Sequence, residues 1–195
     1  MDFTQEHIDR LLAKLSLWVP LSARFRTELL KNLKFQQVRE KQYLSSIGGH
    51  VNVACYSIDC WVSESRILKS GKQEVISLFR PGDLFTDLDS FLGGHTSQHL
   101  LRVISGTALL SIDKKTFHRL RYHRESSILL EHCLLQQRQD DLWRLELMGL
   151  SDKEKTETYA NRFPINFLPA HLSASYLRMT PSHFSKERAN YNRRR

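Results

Sequence analysis

The sequence predicts an α+β protein in which an antiparallel β-roll is flanked by helices and followed by a long helix and a small helical C-terminal part. Seven of the eight glycines lie between Gly48 and Gly106, among short segments rich in β-branched and aromatic residues. On both sides of that block the apolar period changes from two towards 3.6 residues. The 195-residue chain carries a net charge of +8, and its last ten residues carry five basic side chains and one acidic one.

The N-terminal part is predicted to be helical. Ile8, Leu11, Leu12 and Leu15 recur at helical spacing and mark the apolar face of a first helix. A second short helix is predicted over residues 23–33. Both helices therefore precede the glycine-rich block and are expected to pack against it.

The glycine-rich block is predicted to form short antiparallel strands. Gly71 lies between two strand-like runs and supplies a positive φ for a hairpin, and Gly106 separates two more. A short helix near Asp87 is expected to interrupt the strands, with that carboxylate capping its first turn. The strands are predicted over residues 51–56, 61–68, 75–79, 99–105 and 107–112.

After Asp113 the chain is predicted to be helical, and residues 125–148 form one long helix with few breakers. Ile128, Leu135 and Leu142 recur every seven residues, a spacing typical of helices that pair along a seam. Two interpretations stay open at this point. The apolar stripe packs on the β block, or it pairs with its twin in a homodimer.

A boundary is predicted near Leu150. Ser151 and Glu154 form a capping-box pattern at the start of a new helix, and Gly149 before them is a helix stop. The chain thus divides into an N-terminal domain over residues 1–124, a long helix over 125–150 and a small C-terminal domain over 151–195.

The C-terminal segment has the pattern of a helix-turn-helix. Small and apolar residues face inward on a first helix, and Thr180-Pro181 is the N-cap and first position of a second. The second helix of this motif enters the major groove. The alternative is an ordinary helical hairpin with a solvated basic tail. The residues expected to contact DNA are Thr180, Ser182, His183, Lys186 and Arg188, with the tail Arg193-Arg194-Arg195 attracting phosphates.

The order of these parts resembles the Crp/Fnr family of bacterial transcription regulators. The resemblance rests on the run Val75-Ile-Ser-Leu-Phe-Arg-Pro-Gly-Asp-Leu84 after Gly71-Lys72, on the long helix and on the terminal helix-turn-helix. Residues 168–177 followed by Met179-Thr-Pro resemble the Bacteroidetes branch of that family. The resemblance implies a cytoplasmic homodimer that pairs through the long helix and binds a palindromic duplex. It also implies a cyclic-nucleotide-binding-like β-roll with a pocket for an effector.

The resemblance also locates that pocket on two short runs. Gly82-Asp83-Leu84 matches the pair that meets the ribose in cyclic-nucleotide binders, with aspartate in place of glutamate. The phosphate-binding arginine and serine fall on Ser97-Gln98, just before His99, so the arginine is absent. A buried phosphate needs a cation to offset its desolvation. We therefore expect no cyclic AMP binding, and either an unidentified effector or none.

The C-terminal part departs from the family pattern in two ways. Arg178 occupies the turn position where glycine is usual, and a left-handed conformation there costs arginine about 1 kcal/mol. The β-wing that follows the recognition helix in longer members is expected to be missing. A second hypothesis is therefore a dimeric sensor or interaction module that does not bind DNA specifically.

Catalytic and metal-dependent functions find no support in the sequence. The nine histidines are scattered, and no spacing among them brings two ligands together on one face. The three cysteines are too few and too dispersed for an iron–sulfur cluster. They are instead consistent with a reducing cytosol. No apolar run is long enough to span a membrane, and we expect no catalytic residue and no metal.

Overall fold

The computed structural model describes residues 5–194 of the chain. Among these residues it contains helices and two antiparallel sheets, in the order that the sequence predicts. The helices are α1 Gln5–Ser16, α2 Ala23–Asn32, α3 Leu88–Phe91, α4 Lys114–Leu120, α5 Arg124–Met148, α6 Asp152–Arg162, α7 Ala170–Tyr176 and α8 Pro181–Arg193. The strands are β1 Lys34–Gln37, β2 Val53–Ser57, β3 Trp61–Ile67, β4 Gln73–Phe79, β5 Leu84–Phe85, β6 His99–Ser105 and β7 Ala108–Asp113.

The described residues divide into two compact units. The roll unit contains residues 5–64 and Leu78–Leu135, and the C-terminal unit contains Ser65–Ser77 and residues 136–194. Strands β3 and β4 and helix α5 continue from one unit into the other. The tip of the β3–β4 hairpin thus groups with the C-terminal helices, whereas the division predicted from the sequence kept all of residues 1–124 in one N-terminal domain.

The roll unit confirms the predicted antiparallel β-roll flanked by helices. One sheet has the order β1-β7-β2-β5 and the other the order β4-β3-β6. Strand β7 pairs with β2 over five residues, from Val53 opposite Asp113 to Ser57 opposite Leu109. Apolar side chains from both sheets form one core, which includes Val62, Val103 and Leu109, each fully buried.

Helices α1 and α2 cover a second apolar cluster of the roll unit. Leu11, Leu15, Phe25 and Leu29 are buried against Leu110 of β7. The amphipathic spacing that predicted these helices is therefore the spacing of their buried faces. Helix α2 begins where Ser22 caps it, the hydroxyl accepting a hydrogen bond from the Phe25 amide at 3.2 Å.

The turns of the roll explain two of the glycines. Gly71 at the hairpin tip has φ +78°, and Gly106 between β6 and β7 has φ +95°. At Gly106 a Cβ would also lie 2.5 Å from the Cα of Cys60, so no larger residue fits. The hairpin predicted at Gly71 is confirmed, since β3 and β4 are neighbours in one sheet, whereas the turn at Gly106 connects β6 and β7 of different sheets and is not a hairpin. The short strands β1 and β5 were not predicted.

Polar N-caps set the starts of three helices that the sequence anticipated. The Asp87 carboxylate accepts from the Ser90 amide at 3.1 Å and begins α3. Asp113 caps α4 in the same way, so the helical stretch after it is a short helix separate from α5. Ser151 and Glu154 form the predicted capping box of α6.

The C-terminal unit has an aromatic core. Tyr159 of α6 is fully buried, with its ring 5.8 Å from that of Tyr176 and its hydroxyl 2.9 Å from Ser173 Oγ. Phe184 of α8 meets the Tyr159 ring edge-on at 6.4 Å. The core therefore ties α6, α7 and α8 together, and Phe184 anchors α8 as the sequence predicts.

Candidate functional site

The first half of the predicted effector pocket lies at the turn before β5. Gly82 has φ +88° and its amide donates to the Ser57 carbonyl at 2.8 Å, which fixes the turn. The Asp83 carboxylate accepts from the Arg80 amide at 2.8 Å and lies 3.6 Å from Lys14 Nζ. Leu84 continues into β5. Asp83 is thus already paired with two cations of its own chain, since Arg80 Nε also lies 3.3 Å from it.

The second half of the pocket is an acidic cluster. The Ser97 hydroxyl donates to Asp87 Oδ2 at 2.6 Å, and His99 Nδ1 lies 2.9 Å from Glu64 Oε1 and 3.9 Å from Asp87 Oδ2. The side chains of Glu64 and Asp87 are 8% and 2% exposed. Gln98 points to solvent. Within residues 5–194, no hydrogen bond or ion pair links Asp83 to Ser97 or His99.

The charge of this cluster decides what it can bind. The hydrogen bond to Glu64 raises the pKa of His99 above its usual value, and the nearby charges of Asp87 and Asp89 act in the same direction. Two buried carboxylates stand against one imidazole where a cyclic phosphate would need an arginine. The cluster is therefore unsuited to an anion, in line with the missing arginine.

The thiols of the described chain have no reactive character. Burial raises the pKa of Cys55 and Cys60 to about 12 and that of Cys133 to about 11. Among residues 5–194, no group of three histidine, cysteine or carboxylate side chains is placed to hold a metal ion.

The long helix α5 exposes part of its predicted seam. Ile128 packs against the α1–α2 core of the roll unit, whereas Leu135 is 55% and Leu142 49% exposed. Leu134 and Leu145 are also exposed. At 100° per residue, these four leucines fall within an arc of about 100° on one face. The intramolecular interpretation thus holds for Ile128, and among residues 5–194 the four leucines form a face that stays exposed.

The turn between α7 and α8 ends α7 in a Schellman motif. The Met179 amide donates to the Ala174 carbonyl at 2.9 Å, and the Arg178 amide donates to the Ser175 carbonyl at 3.2 Å. Arg178 itself has φ +56°, the left-handed conformation that glycine normally supplies here. Thr180 then caps α8, its hydroxyl accepting from the His183 amide at 3.3 Å, and Pro181 follows at the first position.

Helix α8 presents a polar face opposite the buried Phe184. Its outward side chains recur at helical spacing and are small or basic, so nothing bulky would keep the helix out of a groove. Lys186 lies at the centre of this face. The exposed residues are Ser182, Ser185, Lys186, Ala189 and Arg193.

Several residues predicted to contact DNA also make contacts within the C-terminal unit. His183 Nε2 lies 2.8 Å from Asp152 Oδ2, and hydrogen bonds from Lys155 and His183 lower the pKa of Asp152. The Arg188 guanidinium lies over the Phe184 ring at 5.9 Å, and Arg194 pairs with Glu157 at 2.8 Å. Arg195 lies outside the described residues.

Sequence reasoning missed Ser185 and Ala189 on the outward face of α8. The signal was present, because both positions point away from the predicted anchor Phe184, by about 100° for Ser185 and about 140° for Ala189 at 100° per residue. It also missed Glu74, a buried carboxylate that bonds to the turn residue Arg178 at 2.6 Å. No local pattern marks that contact, since the two residues are 104 positions apart.

Comparison with solved structures identifies the class of this fold. FixK2 from Bradyrhizobium japonicum superposes with a TM-score of 0.73 at 12% identity, over 83% of this chain and 85% of that one. A Eubacterium rectale protein assigned to the crp/fnr family of transcriptional regulators gives 0.72 at 11% identity, over 90% and 86%. The c-di-GMP responsive global regulator CLP of Xanthomonas campestris gives 0.66 at 12%, over 88% and 92%.

The chain therefore has the fold of the Crp/Fnr transcription regulators, as the sequence resemblance predicted. No protein-family model matches the sequence, and no curated protein matches it either. No helix within residues 5–194 is long and apolar enough to cross a membrane.

Proposed function

We propose that this protein is a homodimeric DNA-binding transcription regulator of the Crp/Fnr type whose β-roll takes no cyclic nucleotide. The observation that supports DNA binding is the outward face of α8. It combines the capped, proline-led helix start typical of a recognition helix with Lys186 and small side chains. The fold shared with FixK2 and CLP supports the same function.

The basic groups of the C-terminal unit divide between two roles. Lys186 and Arg193 are exposed on the outward face and would neutralise phosphates or reach base edges. His183, Arg188 and Arg194 contact Asp152, Phe184 and Glu157, respectively. We therefore expect Lys186 to contribute more to DNA affinity than Arg188.

Helix α5 supports the dimer. Four exposed leucines on one face are a costly arrangement for an isolated helix, and the seven-residue spacing of Leu135 and Leu142 suits a second copy of the same helix. A two-fold dimer would place its two α8 helices on a palindromic site.

The experiment that tests DNA binding uses a duplex selected in vitro by the wild-type protein from a random library. We expect Lys186→Ala to weaken binding of that duplex about tenfold and to reduce the slope of log affinity against log salt by about one. Lys31→Ala is the matched control, since it removes an equal charge from an exposed site in the roll unit. Fluorescence anisotropy at several salt concentrations measures both.

Two outcomes would contradict the proposal. A wild-type protein that enriches no duplex would favour the alternative of a dimeric interaction module, which the internal pairing of His183 and Arg194 supports. Equal losses in Lys186→Ala and Lys31→Ala would show that binding depends on net charge alone.

The dimer is tested by sedimentation of Leu135→Asp. A carboxylate on the exposed stripe would be buried without a partner in the dimer, so we expect monomers. Leu17→Asp is the control, because Leu17 is 82% exposed and lies outside α5. A wild-type protein that sediments as a monomer would rule out the pairing.

The proposal that the β-roll takes no cyclic nucleotide is tested by calorimetry with cyclic AMP. Because Glu64 and Asp87 are buried beside His99, we expect no measurable heat of binding. Binding with submicromolar affinity would overturn this part of the proposal.

A further inference from the structure

Glu74 of strand β4 has an unusual environment within the C-terminal unit. Its side chain is 6% exposed and accepts hydrogen bonds from three arginines. Arg66 Nη2 lies at 2.8 Å, Arg144 Nη2 at 3.1 Å and Arg178 Nε at 2.6 Å. One carboxylate thus joins the hairpin tip, helix α5 and the turn that precedes α8.

The charges of this group fix its protonation. The bonds from Arg178, Arg66 and Arg144 outweigh the desolvation of Glu74 and lower its pKa to about 2. The carboxylate is therefore ionised at every physiological pH. Three permanent cations around one anion leave two positive charges in excess, so loss of Glu74 would leave the arginines to repel one another.

Arg178 makes one of these bonds from a strained backbone. Its φ of +56° places it in the left-handed region, where a non-glycine residue costs about 1 kcal/mol. Nothing within the Schellman motif itself favours arginine over glycine. The bond to Glu74 is a contact that a glycine at this position would lack, and it offsets the backbone cost.

The backbone of the hairpin tip also meets the end of α7. The Val75 amide donates to Ser175 Oγ at 3.0 Å, and Arg144 Nη2 donates to the Val75 carbonyl at 3.1 Å. The same guanidinium lies 5.1 Å from the Tyr176 ring. Ser175 and Tyr176 immediately precede the turn, so Val75 of the hairpin tip and Arg144 of α5 contact the residues that lead into it.

We propose that Glu74 is a positioning residue for the DNA-reading helix, holding the α7–α8 turn through Arg178 in place of the glycine that other such turns use. This inference rests on the proposed function for its role in DNA binding. Its structural part, the dependence of the turn on the hairpin tip, stands independently. The bond from Arg178 to Glu74 thus adds a contact from outside the motif to the backbone hydrogen bonds that close the turn.

The test combines two substitutions that act at the two ends of the bond. Glu74→Gln keeps the size of the side chain and removes its charge, and Arg178→Gly supplies the residue that adopts a positive φ without strain. If Glu74 acts through Arg178, the effect of Glu74→Gln on the turn will be smaller in the Arg178→Gly background. Arg66→Gln is the matched control, since it removes another partner of Glu74 and leaves the bond to Arg178.

The first readout is amide hydrogen exchange of Met179, whose bond to Ala174 closes the turn, relative to Phe163 at the end of α6. We expect Glu74→Gln to raise the relative exchange rate about fivefold, and Glu74→Gln/Arg178→Gly to restore it to within about twofold of wild type. Arg66→Gln should leave it unchanged. A loss of general stability would raise both amides together and leave their ratio unchanged.

The second readout is affinity for the duplex selected by the wild-type protein. Glu74→Gln should weaken binding about fivefold, and the added glycine should recover most of that loss. An unchanged Met179 ratio in Glu74→Gln, or no recovery in the double variant, would overturn the inference. If the wild-type protein selects no duplex, the proposed function fails, and the exchange ratio alone still decides the role of Glu74 in the turn.

Discussion

Two buried glutamates on adjacent strands of one hairpin pair with different kinds of basic side chain. Glu64 on β3 lies in the roll unit beside a single histidine, 2.9 Å from His99. Glu74 on β4 lies in the C-terminal unit among three arginines. Their side chains are almost equally hidden, at 8% and 6% exposure. The difference lies in the counter-charge, which is an imidazole that can lose its proton in one site and a set of guanidinium groups that stay charged in the other.

This difference shows that the partner of a buried carboxylate decides whether its ion pair depends on pH. A partner that titrates makes the pairing depend on pH, and a partner that does not makes it constant. The roll unit therefore carries a polar cluster whose pairing depends on pH. The C-terminal unit carries the ion pairs of Glu74 with three arginines, which do not depend on pH near neutrality and lie beside the α7–α8 turn.

The largest effect should come from Glu74→Ala. Removing the carboxylate that accepts hydrogen bonds from three arginines, one of them 14% exposed, should destabilise the protein by about 3 kcal/mol in urea unfolding at neutral pH. The pKa of Glu74 is depressed, so its stabilisation is complete above the usual value of 4.5 and is lost as pH falls towards about 2. The difference in the free energy of unfolding between the variant and wild type should be constant from about pH 5 to about pH 8, because this whole range lies above the usual pKa. A difference that disappears towards pH 8 would contradict a permanent counter-charge.

A smaller, pH-dependent effect is expected for His99→Gln. The pKa of His99 is raised, so its charged form stabilises the fold fully below the usual value of 6.5, and this contribution is lost as pH rises through the folded value. We expect the variant to lose about 1 kcal/mol of its free energy of unfolding below the usual pKa of histidine and less than that at alkaline pH. His50→Gln, at an exposed position, is the control in the same pH series. A loss that grows with pH would reverse the assignment of Glu64 as the partner.

The smallest effect should come from Arg66→Gln. The Arg66 side chain is 45% exposed, and Glu74 keeps two other arginines when it is removed. We expect a loss of about 0.5 kcal/mol or less in urea unfolding. A loss as large as that of Glu74→Ala would mean that the ion pair with Arg66, rather than the one with Arg178, contributes most of the stabilisation by Glu74.

The sequence predicted the features that depend on neighbouring residues. Gly71 marked a real hairpin and Gly106 a real turn, Ser151 and Glu154 a real capping box, and Thr180-Pro181 a real helix start. Each of these signals acts within a few residues, where local sterics and hydrogen bonds decide. The two-residue strand β5 gave no such signal, because it exists only through its pairing with β2.

The sites were harder to predict, because their side chains come from distant segments. The sequence placed Ser97 and His99 in a pocket, yet it did not show that Glu64 would point at the same histidine. It noted Arg178 as an anomaly of the turn without finding its partner. That partner lies on a hairpin whose tip belongs with the C-terminal helices, an arrangement set by tertiary packing rather than by local pattern.

The raised pKa values of the three cysteines have a practical consequence for solution work. A thiol whose pKa is about 11 or 12 is almost wholly protonated at neutral pH and reacts slowly with maleimides and peroxides. A cysteine introduced at exposed Ala189 would therefore be the fast-reacting thiol of the chain without any prior removal of the native ones. A fluorophore or spin label attached there would report directly on the surroundings of the outward face of α8.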